Sequence, residues 1–101
     1  MTPVQFSPLA SREVAGNARE YEAKAPGLGE KFISEVEAAT RQISEFPESA
    51  PAFGMRLRRR ILKRFPFALL YSVREDLVWI VAVMHQSRGP LFIAERLKGR
   101  L

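Results

Sequence analysis

The chain has 101 residues, 47 % of them hydrophobic and 27 % charged, the proportions of a globular domain with one packed core and not of a disordered chain. It contains no cysteine, which excludes a disulfide framework and thiolate chemistry and suits a reducing compartment. The formal charge of +5 is unevenly spread: residues 1–51 hold five basic and eight acidic side chains, net −3, whereas residues 52–101 hold eleven and three, net +8. Such asymmetry has two readings, a polyanionic partner (nucleic acid or an acidic polypeptide) or a solvated basic face. The start, Met1 to Phe6, lacks the basic and apolar stretches of a signal peptide, and no apolar run approaches the roughly 20 residues that cross a bilayer. The expectation is a soluble, cytoplasmic, single-domain protein.

Pro3 to Phe6 is short and partly apolar, the pattern of an edge strand. Ser7-Pro8 then reads as a helix start, because a serine oxygen accepts from an unpaired amide and proline is tolerated at the first helical position. Val14, Ala18, Tyr21 and Ala25 recur at helical spacing, with Gly16 costing up to ~1 kcal/mol. Ala25-Pro26-Gly27-Leu28-Gly29 breaks that pattern. Phe32, Val36, Ala39, Ile43 and Phe46 form the stripe of a second helix, stopped by Pro47, and Glu37 stands four residues before Arg41 in the order that favours a helical ion pair. Two helices joined by a short turn pack as an antiparallel hairpin.

From Gly54 the period changes to two. Met55, Leu57, Arg59 and Ile61 alternate with Arg56, Arg58, Arg60 and Leu62, which predicts a strand with one strongly basic face. Lys63 to Pro66 is a turn, Phe67 to Val73 a second strand, and Arg74-Glu75-Asp76 a tight polar turn. Leu77 to Met84 is a near-continuous apolar strand containing Trp79, as for a strand buried on both faces. Phe92, Ile93, Leu97 and Leu101 have the spacing of a short last helix. The expected fold is α+β: an N-terminal strand, a two-helix hairpin, then a three-stranded antiparallel meander completing a sheet packed on the helices. Val36, Ala39, Ile43, Leu69, Tyr71, Trp79 and Val81 are its expected core.

Several strings in this order resemble the ParE/RelE family of toxins from bacterial toxin–antitoxin pairs. Pro26-Gly27-Leu28-Gly29, with Phe32 and Val36 behind it, is similar to the family's inter-helix turn and second helix. Arg59 to Tyr71, a basic strand running through Phe65-Pro66-Phe67 to a tyrosine, resembles its next two strands. Ile80 to His85, with Arg88 and Pro90 following, resembles the end of the last strand. The resemblance implies a toxin neutralised by a cognate antitoxin. One branch of the family poisons DNA gyrase; another cuts messenger RNA on the ribosome.

Cleavage by 2′-hydroxyl attack needs a proton acceptor, a stabiliser of the phosphorane charge and a proton donor. Carried over from the ribonuclease branch by aligning on Tyr71, two strand lysines fall on Arg59 and Ile61, the third-strand arginine on Ala68, and the arginine after the last strand on Arg88. The C-terminal tyrosine has no counterpart, since Phe92 and Ala94 cannot transfer a proton. Guanidinium, with a pKa above about 12, is a poor acid or base. His85, the only histidine, is the remaining acid/base candidate, so a nuclease would have to use Arg59, His85 and Arg88. No second histidine or cysteine suggests zinc, and Gly27-Leu28-Gly29 lacks the strand that precedes a phosphate loop, so neither metal nor cofactor is expected.

The basic residues are the stronger signal. Alternate residues on a strand stand about 7 Å apart, close to the phosphate spacing of a nucleic-acid strand, and arginine suits carboxylate and phosphate forks. Arg56, Arg58, Arg60, Lys63, Arg64 and Arg88 are therefore the expected contacts for a target or an antitoxin. The sequence favours the ParE branch, a toxin that binds DNA gyrase and carries no chemistry of its own. A ribosome-dependent endoribonuclease and a non-toxic antitoxin-binding relative are the alternatives.

Overall fold

The computed structural model describes residues 1–54 and 56–98. Its elements are β1 (Val4–Phe6), α1 (Pro8–Lys24), α2 (Leu28–Glu45), β2 (Arg58–Ile61), β3 (Phe67–Arg74), β4 (Leu77–His85) and α3 (Pro90–Arg96). Ser7 caps α1 as its sequence predicts, its side chain accepting from the Ala10 N–H at 3.0 Å with Pro8 in the first turn. Gly27, at φ 85°, takes the left-handed conformation that turns the chain between the helices. Glu22 secures this corner by accepting from the Gly27 and Gly29 N–H groups. Gly29 brings the helices close: a Cβ there would stand 2.6 Å from the Ala18 carbonyl oxygen.

The sheet order is β1-β4-β3-β2. β2, β3 and β4 form the expected antiparallel meander, while β1 lies at the edge, parallel to β4, with Val4 beside Val78 and Phe6 beside Ile80. Both faces are covered. Leu69, Tyr71, Val78, Ile80 and Val83 pack against Phe32, Val36, Ala39 and Ile43 of α2. Leu70, Val81, Ala82 and Met84 pack on the other side against Ile93 and Leu97. A register shift makes this division possible: Leu70 pairs with Ala82 but Tyr71 with Ile80, which leaves Val81 unopposed as a bulge. The bulge resets the alternation, so Val83 faces the helices on which Val78 and Ile80 also pack.

Three local readings differ from the sequence. The basic strand is shorter than expected, because the chain before it folds back: the Phe53 N–H donates to Leu57, the Leu57 N–H to Gly54, and Ala52 bridges Arg58. Arg56 precedes the strand at φ 63°, and Met55 lies outside the described residues. Phe46 sits at the end of α2, 63 % exposed, beyond the reach of the core. Trp79 is half-buried and carries the Arg74 guanidinium 5.5 Å from its ring centre. The last helical position, Leu101, also lies outside the described residues.

Candidate functional site

The arginines of β2 divide by face. Arg58 and Arg60 turn toward the loop after α2. Arg58 donates through Nη1 to the carbonyls of Glu48 at 3.0 Å and Ala50 at 2.7 Å, with its Nη2 3.8 Å from the Glu48 carboxylate. Arg60 donates to Ser49 Oγ at 2.7 Å and to Gln42 Oε1 at 3.4 Å. Beneath them the Tyr71 hydroxyl donates to the Pro47 carbonyl at 2.7 Å. Burial pushes that phenol above its ordinary value of 10.0, against the pull of Arg60 and Arg58, so it stays a neutral donor. These contacts fasten residues 47–50 to the sheet. Arg59 points the other way, its guanidinium 4.2 Å from the Phe53 ring centre and donating to the Gln86 carbonyl at 3.2 Å.

The turn between β2 and β3 is braced from α2. Glu35 Oε1 accepts from the backbone N–H groups of Lys63 and Arg64 at 3.1 and 3.0 Å, and Oε2 lies 3.9 Å from Arg64 Nε. Both cationic side chains are left outside, that of Arg64 84 % exposed. A groove of about 810 Å³ runs between this turn and α2, with Leu28, Ala38 and Phe65 among its lining and three cations (Lys31, Lys63, Arg64) and two carboxylates (Glu30, Glu35) around it.

His85 and Arg88 line a cleft of about 570 Å³ where β4 ends, between α1 and α3. His85 is exposed at its mouth; its Nδ1 accepts from the Ser87 N–H at 3.1 Å and its ring meets Phe67 edge-on at 5.5 Å. Because Phe67 pairs with His85, and the Gln86 N–H donates to Pro66 at 2.8 Å, the strand end and the basic turn occupy one end of the sheet. Lys63 and Arg64 therefore stand at the same end as Arg88, though 24 or more positions separate them in the chain. Of the three nuclease candidates, two line one cleft. His85 and Arg88 share the cleft, whereas Arg59 is held on the α3 side of β2 and does not line it.

The cleft also contains residues the sequence reading passed over. Glu13 and Glu20, with Gly16 and Asn17 between them, line it from α1, and Arg96 lines it from α3. Their spacing of three, one and three is a second helical stripe, polar where the first is apolar. Glu13 is half-buried and accepts from the Val83 N–H at 2.7 Å. Burial raises its carboxyl above 4.5, opposed by that hydrogen bond and by Arg96 and Arg12. Among the described residues, no three acidic, histidine or cysteine side chains are grouped to hold a metal ion.

A family model described as "ParE toxin of type II toxin-antitoxin system, parDE" matches residues 4–90. The chain belongs to the ParE toxin family. It is thus a toxin of a type II toxin–antitoxin system, as the strings around Gly27, Phe65 and His85 imply. Among solved structures, this ParE chain is similar to one from the chromosomal ParDE TA system of P. aeruginosa, with a TM-score of 0.62 and 16 % identity over 84 % of this chain and 96 % of that one. At that identity the likeness concerns the fold. No curated protein sequence matches the chain significantly.

Proposed function

We propose that this ParE toxin arrests growth in the cytoplasm by binding a host target, DNA gyrase, without chemistry of its own, and that a cognate antitoxin neutralises it. The observation that carries this reading is the gathering of Lys63, Arg64 and Arg88 at one end of the sheet, with Lys63 and Arg64 locked by Glu35 into a fixed presentation. A preset cationic surface suits electrostatic recognition of a large acidic partner. Arg58 and Arg60 hold the loop after α2 in shape. Support against cutting comes from two positions: Arg59 is held at the Gln86 carbonyl and does not line the cleft of His85 and Arg88, and Ala68, at the usual third-strand cation, is 1 % exposed.

The antitoxin is expected to dock an acidic, amphipathic segment over the basic turn and its apolar groove, and to be encoded next to the toxin. The deciding experiment is induction of the toxin in growing cells. Removing a general acid or base costs about 10²–10⁴-fold in rate, so His85→Ala is expected to keep its toxicity, whereas joint replacement of Lys63, Arg64 and Arg88 by alanine abolishes it. DNA damage should appear with intact transcripts. Cleaved transcripts, or a folded His85→Ala protein that is harmless, would replace this reading with the ribonuclease.

A further inference from the structure

The arginines of β2 are tied into the fold, but the one just before the strand is not, and it stands on a strained backbone. Arg58, Arg59 and Arg60 donate to carbonyls and side chains of their own chain. Arg56 is exposed, and among the described residues the ion pairs join Arg58 to Glu48 and Arg64 to Glu35, leaving it out. Its φ of 63° is left-handed, a conformation that glycine adopts freely and that crowds the Cβ of any other residue. The next residue is anchored: Leu57 is buried against Leu70, Ile93 and Leu97, and its N–H donates to the Gly54 carbonyl at 2.8 Å. Side chains held in such conformations cluster at binding sites. Glu75, at φ 45° between β3 and β4, is held in the same way, so strain alone does not assign a role.

The surroundings of Arg56 set it apart. Gly54 lies against the start of α3, where a Cβ on Gly54 would stand 3.4 Å from the Pro90 Cβ. Leu91 follows Pro90 and is 89 % exposed, the most exposed large hydrophobic side chain among the described residues. Arg56 is two positions from Gly54 and Leu91 one from Pro90, so their Cα atoms lie within about 18 Å, inside the footprint of a single interface. The two segments that meet here, residues 49–74 and 77–94, contain no aspartate or glutamate. Neither segment supplies a carboxylate to Arg56.

We infer that Arg56 and Leu91 form one contact surface for the protein target, Arg56 meeting a carboxylate of the target and Leu91 an apolar pocket beside it. The inference rests on the proposed binding of gyrase and adds two residues to those already assigned to it. Arginine is enriched where interface energy concentrates, because its planar fork pairs with a carboxylate through two hydrogen bonds. A phosphate backbone is met by several free cations in series. Here the arginines that follow Arg56 are tied into the fold, and its neighbour across the Gly54–Pro90 contact is an exposed leucine. One free guanidinium beside one exposed apolar side chain fits a protein surface better than a nucleic acid.

The test measures binding of the full-length toxin to purified gyrase by calorimetry, without DNA and with it, beside thermal unfolding followed by circular dichroism. Arg56→Gly removes the guanidinium and the strain together, whereas Glu75→Gly relieves the same kind of strain at the opposite end of β4. Each should raise Tm by about 5 °C. Only Arg56→Gly should lose affinity, by about 10–100-fold, the scale of a lost hydrogen bond to a charged group. Leu91→Ser should weaken binding by about tenfold at an unchanged Tm, because it removes apolar area that only the complex buries. Both losses should be the same with and without DNA. If wild type binds gyrase and either patch variant binds as well, or loses affinity only when DNA is present, the inference is overturned and the gyrase reading stands. A fall in Tm for Arg56→Gly also overturns it, since the arginine would then serve the fold. If wild type does not bind gyrase, that reading falls, and this inference with it.

Discussion

Replacing Arg58 by alanine separates a strut from a contact. The side chain is 30 % exposed, and its guanidinium donates to two carbonyls of the loop after α2, at 3.0 and 2.7 Å. A hydrogen bond to a charged group contributes roughly 1.5–3 kcal/mol net when well protected from water. Partial exposure reduces that, so losing both bonds should cost about 2–3 kcal/mol. The 3.8 Å approach to Glu48, whose side chain is 80 % exposed, adds little. Against a typical total stability of about 5–15 kcal/mol, this is a large fraction, equivalent to a fall in Tm on the order of 10–20 °C. Arg64→Ala, which removes an outward side chain, should change stability by no more than about 0.5 kcal/mol. Thermal unfolding followed by circular dichroism gives both values, and calorimetry with the antitoxin is then run at a temperature where both variants are folded. If Arg58→Ala melts with wild type yet loses its partner, the β2 arginines are interface residues and the structural account of them is refuted.

Glu13 makes stability depend on pH in an unusual direction for a carboxylate. Burial raises its folded pKa above 4.5, so its contribution is fully present below that value and is lost as pH rises through the folded pKa. Glutamine keeps an oxygen for the Val83 N–H and does not titrate, so Glu13→Gln should gain stability relative to wild type between about pH 4 and about pH 7. A Tm difference that stays constant across that range would show that burial does not control this group. Gly29→Ala should destabilise by roughly 1–3 kcal/mol or more, because its new methyl would meet the Ala18 carbonyl at 2.6 Å and force the helices apart. Urea unfolding with an unchanged midpoint would contradict that close approach.

Periodicity made most of the fold legible. Phe32, Val36, Ala39 and Ile43 are buried as their spacing requires, and the break at Gly27 falls where the helices turn. What failed was long-range. Residues 55–62 alternate as a strand does, but alternation records only a two-residue period, and nothing local tells that the preceding loop folds back at Gly54. Phe46 kept the helical spacing after the sheet beneath it had ended. The bulge at Val81 left no mark in a run where every residue is apolar. The site was legible in residue type more than in place. His85, Arg88, Lys63 and Arg64 stand out in the sequence, but their meeting at one end of the sheet depends on the pairing of Phe67 with His85. Glu13 was missed because a glutamate on a polar helix face looks solvated until its strand partner is known.

The charge asymmetry also acquires a different meaning in three dimensions. Eleven cations in the second half suggested one basic face, yet Arg58, Arg59 and Arg60 are spent on carbonyls and side chains of their own fold. The acidic first half is not a separate acidic surface either. Glu35 reaches from α2 to the N–H groups of the basic turn, and Glu13 reaches from α1 to the N–H of Val83. Each carboxylate thus braces backbone of the basic half, near the end of the sheet where Lys63, Arg64 and Arg88 remain exposed. A net charge of +8 in one half of a chain does not measure the field a partner meets. The few cations that the fold leaves unspent, and the carboxylates that hold their backbone still, determine it.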